Sequence, residues 1–376
     1  MEEMENPVTK HTIELLGIGA SMDRQLKVNL LQALWHLGLD IPVTEVREID
    51  RLLESGVSGI PALVIDGRVV LQKVVPSTEE LSILLFAMLQ MPLKPVAIKN
   101  IVVPTDFSET AKNAYRYALE LAAGIGANVR LVHVYQPEAD RSGAILLDGV
   151  SEELHLKQEL LQSISLSTGV SIAGKPVKTA IRIEPEILSG FVTDELCNLS
   201  KRSDTDLIIM GTTGHAKGLD KWLGSISTEV ARKAFCPVVL IPKNCSFSPF
   251  KNLLYASDYQ PNEGKILQKV LGLASLFGAT VHLVHICTSR GPAPADPAKN
   301  YLECNLQHLG ATLRMSKIYH LNILEAIALH AEATQSAMIA MGTHHRSFLD
   351  NLFHKKRTRE MAFTTSLPLA VFHYED

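Results

Sequence analysis

The stretch "GTTGHAKGLDKWLGS" places Gly211, Gly214, Gly224 and Ser225 at a fixed spacing: Gly-x-x-Gly, nine residues, then Gly-Ser. Glycine lets backbone approach a bulky anion closely and opens positive φ angles. A Gly-Ser pair where a helix begins offers unpaired N–H groups and the positive end of the helix dipole. Ser225 and Ser227 add hydroxyl donors. The chemistry these residues suit is the binding of phosphate by two separated backbone elements. Glycines that merely end a strand and start a helix would read the same way singly, but three with a serine favour the cradle. No Gly-Lys-Ser/Thr follows at Walker A spacing, and the pattern is not the dinucleotide G-x-G-x-x-G.

The elements that must position this loop emerge when the chain is laid on itself. The segment beginning "IKNIVVPTDFSETAKNAYRYALELAAGIGANVRLVHVYQ" at Ile98 aligns without a gap with "FKNLLYASDYQPNEGKILQKVLGLASLFGATVHLVHICT" at Phe250. Lys99 meets Lys251, Asp106 meets Asp258 and His133 meets His285. A second pair of segments aligns Gly211 with Gly342 and Pro237 with Pro368. Residues 98 to 376 therefore hold two copies of one unit.

Each copy alternates strand and helix. "NIVVPT" reads as a strand, and Ser108 as the N-cap of a helix. Ala111, Ala114, Tyr115, Ala118, Ala122 and Ile125 recur at helical spacing, and Gly126 can end it. "NVRLVHVY", "VKTAIRI", "DLIIMG" and "PVVLIP" are the further strands. Apolar runs separated by helices predict a parallel sheet covered on both faces. The fold class expected is α/β, with two doubly wound parallel-sheet domains at 98–243 and 250–376, joined by "KNCSFSPF". Ligands of such sheets sit outside the carboxyl ends of the strands, where Gly211 falls.

Residues 1–92 are not a third copy. "TIELLGI" and "VTEVREI" read as strands, Leu26 to Leu37 as a helix, and "IPALVIDGRVVLQ" as a hairpin turning at Asp66-Gly67. Ser77-x-x-Glu80 is a capping box opening a helix over "STEELSILLFAML", and "MPLKPVA" reads as a linker.

The bulk properties exclude several classes. A chain of 376 residues exceeds one compact core, and its net charge of −4 argues against broad nucleic-acid or anionic-membrane binding. "MEEMENPVTK" lacks the basic and apolar regions of a signal peptide, and no apolar run suits a membrane span. The five cysteines show no C-x-x-C spacing. Scattered reduced thiols suit a cytoplasmic protein.

The phosphate pattern, with "VVPTDFSETAKNAYRYAL" and "CPVVLIP", resembles the universal stress protein family over both copies. The resemblance implies ATP binding, with Mg²⁺, in the first copy. Asp106, beside Pro104 and Thr105, would reach the ribose or adenine. Backbone of Val132, His133 and Val134 would meet the adenine. Gly211, Thr212, Gly214, Gly224, Ser225, Ile226 and Ser227 would hold the phosphates. An aspartate before a helix is also an ordinary cap.

The second copy departs, with His345 in place of the second glycine and Lys355-Lys356 in place of Gly-Ser. It reads as a structural partner, paired through "PVVLIP" and "PLAVFH" as the family's units pair. His344-His345 without a third ligand is weak metal evidence, and "HKKRTR" reads as a solvated face.

The first 90 residues resemble small thioredoxin-like redox proteins, with Pro61 as the cis-proline. The C-x-x-C positions read Ala20-Ser-Met-Asp23, and the segment contains no cysteine. Thiol exchange needs a thiolate, so no redox activity is expected, and a docking module or a structural appendage remains.

Three functions fit: an ATP-binding regulatory protein of the stress response, a slow ATP hydrolase using His215 or Lys217, and a nucleotide-independent scaffold. The intact first motif favours the first.

Overall fold

The computed structural model describes residues 11–54, 56–90, 98–136, 155–160, 162, 171–172, 175–176, 181–212, 224–259, 263–288, 302–306, 310–343 and 366–373. The linker "MPLKPVA" lies wholly outside them. So do Gly214, His215, Lys217, His344, His345, Lys355 and "HKKRTR".

A small sheet comes first, from β1 (Ile13–Leu16), β2 (Val43–Val46), β3 (Ala62–Ile65) and β4 (Arg68–Gln72), in the order β2-β1-β3-β4. Helix α1 (Ser21–His36) buries Leu26, Leu30, Ala33 and Leu34, the one face that its apolar spacing defines. The hairpin turns at Asp66 and Gly67, both at positive φ (50° and 75°), as a two-residue primed turn requires. The Ile60–Pro61 bond is cis. Helix α3 (Thr78–Leu85) opens on the Ser77/Glu80 capping box and runs into a π-helical turn at Phe86–Gln90. One expectation needs correction: "VTEVREI" is a strand only to Val46, and a short helix α2 (Ile49–Glu54) starts at its last residue.

The two repeat units share one sheet of eleven strands. Unit one supplies β5 (Asn100–Pro104), β6 (Asn128–Tyr135), β9 (Ile183–Ser189), β10 (Leu207–Gly211) and β11 (Val238–Ile241). Their order is β11-β10-β5-β6-β9, and every pairing within the unit is parallel. A two-stranded ribbon, β7 (Ser171–Ile172) with β8 (Lys175–Pro176), stands apart. The helices are α4 (Glu109–Ile125), a helical stretch α5 (155–160), α6 (Val192–Ser200) and α7 (Ser225–Lys233). Ser108 caps α4 by accepting from the Ala111 amide, and Gly126 ends it at φ 74°.

Unit two supplies β12 (Asn252–Ser257), β13 (Thr280–Cys287), β14 (Leu302–Leu306), β15 (Ala311–Tyr319), β16 (Ile339–Thr343) and β17 (Leu369–His373), with α8 (Glu263–Ser275) and α9 (Ile323–Ala333). β14 is an antiparallel edge strand that the sequence reading did not foresee. The units meet through β11 and β17, antiparallel, with Val239 opposite Ala370. These are the strands "PVVLIP" and "PLAVFH".

The third strand of unit one is displaced from expectation. β9 covers 183–189 and contains Pro185, so it shares only Ile183 with the expected "VKTAIRI", of which 177–180 lie outside the described residues. An internal proline argues against a central strand, but β9 is the sheet edge, where a missing N–H can face outward. The small domain rests on unit two. Phe86 lies over Gly264, where an added Cβ would fall 2.8 Å from the ring, and the edge strands β4 and β14 come together.

Candidate functional site

Chain order reverses between β5 and β10: the chain moves from β5 outward through β6 and β9, then returns to β10 on the other side. A crevice opens at such a point, outside the carboxyl ends of the strands. A cavity of about 340 Å³ occupies it, within the range of small-molecule sites. Its floor and walls are apolar, from Val132, Val134, Val192, Leu196, Met210 and Ala111. Its polar rim comes from Thr105, Asp106, Ser108, Gly224, Ser225 and Ser227.

Pro104, Thr105, Asp106, Val132, His133, Val134, Gly211, Gly224, Ser225, Ile226 and Ser227 all line this cavity. Residues separated by more than one hundred positions are thus brought together. Thr212 is placed otherwise. It is buried behind the wall, its N–H donating to the Ile241 carbonyl at 3.1 Å and its carbonyl accepting from the Gly224 N–H at 2.6 Å.

Gly211 is needed for a reason other than a positive φ. A Cβ there would meet Thr110 Cγ2 at 2.7 Å and the Thr110 backbone at 3.1 Å. The glycine lets β10 end directly against the first turn of α4. Gly224 also keeps an ordinary extended backbone, with φ −74° and ψ 160°. It is the N-cap of α7 and has no side chain to occupy the first-turn amides. The first N–H groups of a helix have no intrahelical partner, and those of Ser225, Ile226 and Ser227 have no backbone partner among the described residues. Ser227 is only 3% exposed, and its hydroxyl donates to the Thr212 carbonyl at 2.8 Å. It ties the loop end to the helix, and its proton is committed within the protein.

The wall along β6 follows from strand geometry. The β5–β6 ladder ends with Pro104 opposite Val132 and the Thr105 N–H donating to the Val132 carbonyl at 2.8 Å. In a parallel strand alternate residues direct both backbone groups to the same neighbour. Val134 therefore presents its N–H and C=O to the side that β5 has left. Val132, also predicted to offer backbone groups, has its carbonyl taken by Thr105.

Phe107 does not line the cavity, but it sets the turn that carries Asp106, and sequence reasoning missed it. It follows Asp106 at φ 63°, and Tyr259 follows Asp258 at φ 56°. Bulky residues rarely adopt this region. In each unit the ring stands against the histidine of the next strand: Phe107 to His133 at 4.8 Å, Tyr259 to His285 at 4.1 Å. Each histidine Nδ1–H donates to the carbonyl just before the aspartate, Thr105 at 2.8 Å and Ser257 at 3.1 Å. These contacts fix the turn and leave Asp106 exposed at the cavity rim. Asp106 Oδ1 also accepts from the Ser108 N–H at 3.1 Å. The aligned aromatic pair was the available signal.

Unit two keeps this turn and the apolar character at Val284, Ile286 and Met341, aligned with Val132, Val134 and Met210, but changes one position. At the position of Ala111 stands Glu263, 2% exposed, paired with the hydroxyl of Tyr255. A buried carboxylate replaces a methyl group. Burial pushes the His285 imidazole below its ordinary value, with the Ser257 carbonyl opposing.

Around unit one's cavity, Asp106 and His133 are the ionisable residues among the described lining residues. Among the described residues no group of three His, Cys, Asp or Glu could hold a metal. Asp106 is the one carboxylate among the described lining residues. The four described cysteines with placed side chains, Cys197, Cys236, Cys245 and Cys287, are all free thiols.

The features together define a tandem of doubly wound α/β units with a cleft at one switch point. The family model of the universal stress protein family matches residues 97–242 and 249–371, and that of a thioredoxin domain matches residues 12–86. The chain belongs to the universal stress protein family, with an N-terminal thioredoxin-like domain. It is 27% identical to the universal stress protein Slr1230 of Synechocystis over 73% of its own length and 100% of that relative. It is 30% identical to the universal stress protein MJ0531 of Methanocaldococcus jannaschii, over 39% of this chain and 82% of that one. The crystal structure of a universal stress protein from Archaeoglobus fulgidus shares the fold, with TM-score 0.55 and 19% identity, covering 76% of this chain and 99% of that one.

Proposed function

We propose that this protein is a cytoplasmic ATP-binding regulator of the stress response, with Mg²⁺·ATP held in unit one and unit two as its structural partner. The observation that carries this reading is the cavity between β5, β6 and β10. Its apolar walls suit a base, the Val134 backbone can pair with the base edge, and Asp106 stands at the rim for a ribose. The open amides of α7 suit phosphate. Unit two differs at the wall itself, where Glu263 replaces Ala111. The thioredoxin-like domain acts as a docking or structural module, since it contains no cysteine. No described helix is long and apolar enough to cross a membrane.

We favour binding over turnover on the sequence, which offers no catalytic set beyond His215 and Lys217, both outside the described residues. Efficient phosphoryl transfer needs a water-positioning base and charge neutralisation at the γ-phosphate. His133 has Nδ1 committed to Thr105, and Asp106 is one carboxylate. The test is to purify the protein gently, denature it, and identify the released nucleotide by mass. Competition among ATP, AMP and cyclic AMP then ranks the ligands. Recovered adenine nucleotide with ATP the tightest competitor is expected. An empty protein that binds none of the three would overturn the reading.

A further inference from the structure

Helix α7, whose first turn faces the cavity, is anchored at both ends. At its N-terminus the Gly224 N–H and the Ser227 hydroxyl both donate to the Thr212 carbonyl, at 2.6 and 2.8 Å. At its C-terminus the carbonyls of the last turn have no intrahelical donor. The Ala234 N–H returns to Val230, but the next amide, of Phe235, turns away to Ser200 Oγ at 2.9 Å. The Ala231 carbonyl would be left buried without a donor. His373 fills that place, its Nε2–H donating to the Ala231 oxygen at 2.8 Å.

His373 is the last residue of β17 and belongs to unit two, across the junction of the units. It is 6% exposed. The repeat alignment puts Pro242 of unit one at the equivalent position. Proline has no side-chain donor, so that position of unit one cannot return the bond. Unit two supplies an anchor to the helix of the intact motif, and the asymmetry runs in the same direction as the loss of that motif from unit two.

We propose that His373 is a positioning residue for the first unit's site, holding α7 so that its N-terminal amides face the cavity. Unit one alone would lack this anchor. The helix has only nine residues, so an unsatisfied carbonyl in its last turn lies about two turns from the amides that face the ligand. This assignment rests on the cavity being the nucleotide site, but the anchor can be measured without nucleotide.

The full-length chain is compared with His373→Leu, which keeps volume without a donor, and His373→Gln, whose amide can replace Nε2–H. Hydrogen exchange is read over Ser225–Lys233 without ligand, and ATP affinity by calorimetry. In His373→Leu, exchange in α7 should quicken about two- to tenfold, the effect of one hydrogen bond, with β10 and β11 unchanged. ATP should bind weaker by about the same factor. His373→Gln should restore both. Unchanged α7 exchange in His373→Leu would overturn the proposal, as would a uniform loss of protection that includes the strands. If the wild type binds no ATP, the nucleotide reading falls. Exchange then decides the anchor alone: faster in α7 supports it, unchanged rejects it.

Discussion

Replacing Gly211 by alanine should destabilise the protein through the strand–helix contact, before any ligand is considered. The added Cβ would sit 2.7 Å from Thr110 Cγ2 and 3.1 Å from the Thr110 carbonyl carbon and oxygen. Comfortable carbon contacts lie near about 3.5–4.0 Å. A rotamer change can relieve the methyl contact but not the backbone one, so the first turn of α4 must shift. Overpacking of this kind costs about 1–3 kcal/mol. For units of this size each kcal/mol lowers Tm by about 2–4 °C. Thr110→Ser removes Cγ2 and leaves the backbone contact, so the double variant should regain part of the loss and no more. Thermal unfolding of the wild type, both single variants and the pair gives the coupling. Nucleotide affinity should fall in the same order, because Ser108 and Ala111 of that turn line the cavity. An unchanged Tm with lost nucleotide binding would refute this reasoning and return Gly211 to the role of leaving room for phosphate.

Other perturbations address separate links. Gly224→Val should weaken ATP binding at least about tenfold by placing a branched side chain at the cradle, with Tm little changed, since the backbone there suits any residue; normal affinity by calorimetry would remove the cradle assignment. His330 of unit two is buried, and neither ring nitrogen has a hydrogen-bond partner among the described residues. Burial holds its imidazole below the ordinary 6.5. The unfolded chain then binds the proton more readily, so stability falls as pH drops below the unfolded value, by up to about 1.4 kcal/mol per unit. The loss stops growing below the folded value. His330→Leu should flatten that part of the pH–stability curve, and an unchanged slope would assign the acid loss elsewhere. Gly264→Val should push Phe86 off α8 and loosen the small domain from unit two. Small-angle scattering should then show a larger, more variable particle, and an unchanged profile would mean that the β4–β14 contact suffices.

What the sequence made legible was local or repeated. The capping box at Ser77, the turn at Asp66-Gly67 and the stop at Gly126 are short-range chemistry, and each stands where its residues predict. The tandem units and their pairing strands were visible because the chain carries the pattern twice. Displaced features have tertiary causes. β9 contains Pro185, which only an edge position tolerates, and edge position depends on the whole sheet. The antiparallel β14 is an edge pairing set by the whole sheet, and the unit-one residues aligned with it lie outside the described residues. Most predicted site residues do converge on one cavity, yet the reasons for individual residues differ. Gly211 answers to Thr110, Ser227 to Thr212, and neither partner adjoins it in sequence. Phe107 was passed over because an aromatic residue gives no sequence sign of positive φ. His373 became visible only once the register of β11 against β17 placed it beside α7.

The central claim is one live nucleotide site in a tandem whose second unit serves the first. Calorimetric titration of nucleotide-free, full-length protein with Mg²⁺·ATP tests it most directly. One equivalent bound per chain, lost in Gly224→Val, is the predicted result. Two equivalents would mean that unit two binds despite Glu263. No binding by a folded protein would contradict the account and leave the sheet as an interaction scaffold.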